Sequence, residues 1–132
     1  MKQRDLNLEA FEISRFAYRE LKYFCLQYQE KKQRLMSMYG LSATNYDGMP
    51  HGSGISTPTE NKGVMATQLS KDCGMIERAA NQAAGSIIYP YLMKNVTQGI
   101  PFYCLDIPCG ERQFKNMRRY FYYLLAKELG KV

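Results

Sequence analysis

Hydrophobic positions recur at spacings of three, four and seven over several stretches of the chain, and between them the pattern lapses into Gly, Pro and small polar residues. Such periodicity marks amphipathic helices and predicts an all-α protein, residues 1–132 forming a single helical domain. In residues 6–40, Ala17, Leu21, Phe24, Cys25, Tyr28, Leu35 and Tyr39 collect on one side, with Arg15, Arg19, Lys22, Lys31, Lys32 and Arg34 flanking or opposite. The spacing predicts one long helix with a left-handed stop at Gly40. A stripe of that length must be covered by later helices or by a second copy of the chain, so a homo-oligomer joined through this helix is expected.

Residues 41–57 carry Gly48, Pro50, Gly52 and Gly54 and read as a loop. Thr57, Pro58 and Glu60 then form a capping box with proline at the first helical position, and open a helix over 58–84. Its stripe is Met65, Leu69, Cys73, Ile76, Ala80 and Ala83; Gly63 and Gly74 each weaken it by roughly 1 kcal/mol. Ile87, Ile88, Tyr91, Leu92 and Val96 mark a further helical piece. Proline is tolerated only near a helix start, so Pro90 places that start near Tyr89, with 81–88 as a helix end and link.

The last part, 86–128, has the outline of a helix-turn-helix. A helix stops at Gly99, about one helical turn follows over Phe102 to Leu105, Pro108 breaks it, and a long helix begins at Glu111. At about 100° per residue, Phe114, Met117, Phe121, Leu124 and Leu125 share one arc of that helix, with Arg112, Lys115, Asn116, Arg119 and Tyr123 on the other. The first arc packs; the second is basic.

Charge sharpens this picture. The formal net charge is +6 and the pI about 9.2, which favours an anionic partner: nucleic acid, a membrane surface or an acidic protein. Residues 41–99 balance Asp47, Glu60, Asp72 and Glu77 against Lys62, Lys71, Arg78 and Lys94, so the excess belongs to the two ends. Residues 108–119 set Arg112, Lys115, Arg118 and Arg119 against Glu111 alone. A solvated helix face explains some of that; a groove-reading helix explains it together with the preceding turn. In that reading Arg112, Lys115 and Arg119 reach phosphates or guanine edges and Asn116 pairs with an adenine. Arg118 contacts phosphate from the flank, and Tyr122 and Tyr123 offer it their hydroxyls.

The remaining chemistry is sparse. Cys25 and Cys73 fall on apolar stripes, and Cys104 and Cys109 have only the distant His51 as a third soft ligand, too few for a zinc site. His51 sits in a Gly/Ser-rich stretch without P-loop spacing or a neighbouring acid or nucleophile, and the acids form no pair suited to acid–base work. The expectation is a protein without enzymatic activity, metal or cofactor. No apolar run is long enough to span a bilayer, and free thiols fit a reduced, cytoplasmic setting.

YRELKYFCLQY (Tyr18 to Tyr28), NYDGMPHGSGISTPT (Asn45 to Thr59) and NVTQGIPFYCLDIPCGERQFKNMRRYFYYLL (Asn95 to Leu125) together resemble small bacteriophage and prophage proteins related to the RinA and ArpU late transcriptional regulators. The resemblance covers nearly the whole chain. It implies a prophage-encoded transcription regulator in a bacterial host cell, whose C-terminal helix-turn-helix is comparable to the promoter-reading region of sigma factors. Its turn would run from Leu105 to Gly110 and its reading helix from Glu111 to Leu125. Double-stranded DNA is the implied partner, with host RNA polymerase as a further one. The rival is an adaptor or DNA-packaging protein whose basic helix meets an acidic partner.

Overall fold

The computed structural model describes residues 5–38 and 58–132, with side chains from 63 onward in the second stretch. Among these residues there are four α-helices and no strand: α1 (Arg15–Leu26), α2 (Tyr28–Met38), α3 (Pro58–Gln98) and α4 (Glu111–Glu128). Single turns of 3-10 helix lie at Glu9–Phe11 and Phe102–Cys104. The protein is all-α. The loop at 41–57 with His51, the stop at Gly40 and the Thr57–Glu60 capping box lie outside the described residues. Contacts divide the chain into two compact units where the sequence suggested one domain: Met1–Gln27 with Met75–Val132, and Tyr28–Gly74.

The N-terminal stretch is not one helix over 6–40. Asn7 Oδ1 accepts the Glu9 amide at 3.0 Å, Glu12 takes a left-handed conformation (φ 61°), and Ser14 Oγ caps α1 by accepting the Ala17 amide at 3.1 Å. Each of these side chains offers the backbone a partner that competes with a continuing helix. Residues 5–13 instead form a strap that buries Leu6, Leu8 and Ile13. At the other end α1 stops at Gln27, and α2 begins at the next residue without a Gly or Pro to mark the break.

In the larger unit, Tyr18, Leu21 and Cys25 of α1 are buried, and α1 packs on α4 through the edge-on Tyr18 and Tyr122 rings, 5.2 Å apart. Ile76, Ala80, Leu92 and Val96 of α3 join the same core. The α1 stripe is therefore covered within its own unit. The smaller unit is lighter: Ala66, Leu69 and Cys73 are buried, and Lys31 Nζ of α2 lies 3.0 Å from Asp72 of α3. Gln68 Nε2 donates to the same carboxylate at 2.9 Å.

α3 is interrupted at Gly85, whose φ of 80° and ψ of 168° are open to glycine alone at little cost. Helix runs on both sides of it, over 58–84 and 86–98. The expected link over 81–88 is thus a single residue, and the second helical stretch starts at Ser86 rather than near Tyr89. Pro90 is accommodated because the amide it lacks would have bonded the carbonyl of Ser86, an exposed residue at the very start of that stretch.

Candidate nucleic-acid interface

Two glycines and a buried amide set α4 in place. Gly99 (φ 72°) ends α3 with its amide donating to the Asn95 carbonyl at 3.0 Å, a left-handed cap that lets the chain turn away. The buried Asn95 then donates Nδ2 to the Ile100 carbonyl at 2.8 Å, fixing the exit direction. The connection buries Leu105 and half-buries Ile107. Phe102 meets Phe114 at 5.5 Å, so the connection is pinned to the first turn of α4. Gly110 is the N-cap, with extended backbone and no side-chain bond. At the far end Lys131 and Gly130 donate their amides to Ala126 and Lys127 at 2.8 and 3.1 Å, a Schellman closure with Gly130 left-handed (φ 73°).

The buried face of α4 differs from the arc read off the sequence. Phe114, Phe121 and Leu125 are buried as expected, but Met117 and Leu124 lie at the edge, and Arg118, Tyr122 and Ala126 complete the interior face. Averaged around the helix, the buried arc is turned by about 70° from the expected one, towards Arg118.

That rotation corrects two of the expected contacts. Arg118 is only 6% exposed; its Nη2 donates to the Tyr18 hydroxyl at 3.1 Å and its guanidinium lies 5.8 Å from the Tyr122 ring. Tyr122 is 1% exposed, and burial holds its hydroxyl pKa well above the ordinary phenol value. Neither side chain reaches a phosphate, because both lie inside the α1–α4 contact. Tyr123 is half-buried, with the strap's Phe11 at 5.0 Å, Tyr120 at 6.3 Å and Lys127 Nζ over its ring at 5.5 Å. The strap therefore covers part of the Tyr123 ring at the C-terminal end of the basic face. The signal for this arrangement was present as Phe114, Arg118, Tyr122 and Ala126 in steps of four.

What remains open is the N-terminal half of α4. Arg112, Lys115 and Asn116 are exposed and Arg119 is partly so. Arg119 Nη1 donates to Asn116 Oδ1 at 2.9 Å across one helical turn. Several other cations of the unit are neutralised locally: Arg19 and Lys22 by Asp5, Lys131 by Glu20 and Arg78 by Glu128. The Asp5 carboxyl pKa is lowered, chiefly by the hydrogen bond from Lys22. Among the described residues Arg112, Lys115 and Arg119 form no ion pair. Their charge is left facing solvent, where it attracts an anionic surface.

Other candidate chemistry is not assembled among the described residues. Cys25 and Cys73 are buried, Cys104 is exposed and Cys109 is half-buried, its thiol pKa raised by desolvation. No group of three His, Cys, Asp or Glu side chains suited to a metal occurs among the described residues. No helix there is long and apolar enough to cross a membrane. Comparison of the chain with protein-family models, curated proteins and solved structures finds no match.

Proposed function

We propose that the protein binds duplex DNA sequence-specifically through the N-terminal half of α4 and regulates transcription without catalysing a reaction. The observation that carries this reading is the division of α4 into two faces. Phe114, Phe121 and Leu125 anchor one in the core, while Arg112, Lys115, Asn116 and Arg119 occupy the other, where the three cations form no ion pair among the described residues. A helix held rigidly by one side and carrying unneutralised cations and an amide on the other suits a major groove, where phosphates fix register and base edges specify sequence.

The finer proposal is a helix-turn-helix like the sigma-factor promoter-reading region, acting on late genes of a phage or prophage in the bacterial cytoplasm, in contact with host RNA polymerase. It draws on the resemblance of the Asn95 to Leu125 stretch and on the order of elements: helix over 86–98, the turn Phe102–Cys104, then α4. The connection over 99–110 is longer than the three- or four-residue turn of a minimal motif, so the 3-10 turn takes part in the support.

Selection of duplexes from a randomised library by the full-length protein tests the proposal. Wild type is expected to enrich a shared sequence. The Arg112→Ala/Lys115→Ala variant, with unchanged circular dichroism, is expected to recover little DNA. If wild type retains no duplex even at low salt, the basic face belongs to an adaptor that meets an acidic protein.

A further inference from the structure

Of the aromatic side chains on α4, Phe114, Phe121 and Tyr122 are buried and Tyr123 is half-buried, but Tyr120 is 40% exposed. At about 100° per residue it follows Arg112 by about 80° and Asn116 by about 40°, so it continues their stripe along the helix. Among the described residues its hydroxyl makes no hydrogen bond. Its ring is nevertheless held, stacked with that of Tyr123 at 6.3 Å with the planes 22° apart, and Tyr123 in turn meets Phe11 of the strap at 5.0 Å. Phe11 is itself fixed. Its amide donates to the Leu8 carbonyl at 2.9 Å, and Leu8 and Ile13 on either side of it are each 2% exposed. The stack restricts an exposed side chain before any partner arrives, which removes part of the ordering cost of binding.

We infer that Tyr120 is a phosphate-contacting residue of the DNA interface, and that Tyr123 and Phe11 are positioning residues that hold its ring for that contact. At about 1.5 Å per residue, Tyr120 lies roughly 12 Å further along α4 than Arg112, whereas the major groove is about 8.5 Å deep. A helix inclined into the groove, meeting base edges with its N-terminal residues, therefore carries Tyr120 back to the level of the sugar–phosphate backbone. There its hydroxyl donates to a phosphate oxygen and reads no base. This inference rests on the DNA-binding reading above. It goes beyond that reading by extending the contact past Arg119 and giving the N-terminal strap a part in binding.

The test uses the full chain with the duplex enriched by wild type and a scrambled duplex, each across a salt series. Affinities are measured for wild type, Tyr120→Phe, Phe11→Ala and the double variant, with circular dichroism as the folding control; Phe11→Leu replaces Phe11→Ala if the latter unfolds. Tyr120→Phe keeps the ring stack and is expected to weaken binding to both duplexes alike, by roughly 3- to 30-fold. It removes no charge, so the salt slope is expected to stay at the wild-type value. Phe11→Ala is expected to weaken binding by more than about twofold in wild type and to have little effect once the Tyr120 hydroxyl is gone, the coupling that a merely structural role would not produce. Unchanged affinity in Tyr120→Phe, a loss confined to the enriched duplex, or a Phe11→Ala effect that is absent or the same in both backgrounds overturns the inference and leaves DNA binding standing. Absence of wild-type binding to any duplex overturns both.

Discussion

Replacing Arg118 by methionine tests how α4 is seated. Its guanidinium is buried with one neutral hydrogen-bond partner, the Tyr18 hydroxyl at 3.1 Å, and Nε makes no hydrogen bond among the described residues. Taking a charged group out of water costs several kcal/mol. The hydrogen bond to Tyr18 returns about 1.5–3 kcal/mol, and the guanidinium's distance of 5.8 Å from the Tyr122 ring contributes about 1–2 kcal/mol more. The two sides nearly cancel. Arg118→Met keeps most of the stem's packing but orphans the buried Tyr18 hydroxyl, so its stability should lie close to wild type. Arg118→Met with Tyr18→Phe removes both the charge and the orphan, and should gain about 1–4 kcal/mol. Arg118→Ala loses the stem as well and should cost about 2–5 kcal/mol, as for other long buried chains. Urea unfolding followed by circular dichroism gives all three values. A double variant that is folded yet less stable than wild type by more than about 1 kcal/mol would show instead that the buried charge is a net stabilising element.

Phe121 is fully buried, with Tyr122 edge-on at 5.0 Å, and Phe121→Ala should cost about 3–5 kcal/mol in the same urea titration; a cost below about 1 kcal/mol would place the ring outside the core. The raised Tyr122 pKa has a definite sign: the folded state holds the phenolic proton more tightly, so its contribution is fully present below the unfolded value of about 10 and is lost as pH rises through the folded value. Unfolding monitored from pH 8 to 12 should show an alkaline loss of stability that is smaller in Tyr122→Phe; equal losses would contradict it. Phe16 and Tyr23, seven residues apart and 75% and 58% exposed, are the α1 side chains through which we propose self-association, because Leu21 is buried inside its own unit. Sedimentation at tens of micromolar should show a dimer that Phe16→Asp/Tyr23→Asp dissociates, and a wild-type monomer would dismiss it.

Much of the fold was legible because it depends on periodicity and backbone punctuation. Phe114, Phe121 and Leu125 announced the packed side of α4, and Gly99 its approach. The errors share a physical cause. The polar ends of Arg118 and Tyr122 point to the surface in the sequence pattern, whereas the stem and the ring cover apolar area and Arg118 Nη2 finds the Tyr18 hydroxyl inside. The strap was hidden because Leu6, Leu8 and Ile13 continue a plausible helical stripe, while the short-range bonds of Asn7 and Ser14 that stop the helix depend on local geometry. The break at Gln27 has no breaker residue to reveal it. At the candidate interface the residue types could be listed in advance, but not the Arg119–Asn116 bond, which depends on which rotamers the two chains adopt one turn apart.

In the proposed DNA complex Arg112, Lys115 and Arg119 face the backbone or groove while the buried Arg118 does not. Binding of wild type, Arg112→Ala, Lys115→Ala, Arg119→Ala and Arg118→Met to one duplex, each across a salt series, separates them directly. The logarithm of affinity should fall linearly with the logarithm of salt, and each exposed residue that touches a phosphate should reduce the steepness by about 0.9 when removed. Arg118→Met should leave both slope and affinity at the wild-type values. Slopes and affinities unchanged in the Arg112, Lys115 and Arg119 variants, with structure intact, would contradict DNA binding through this face.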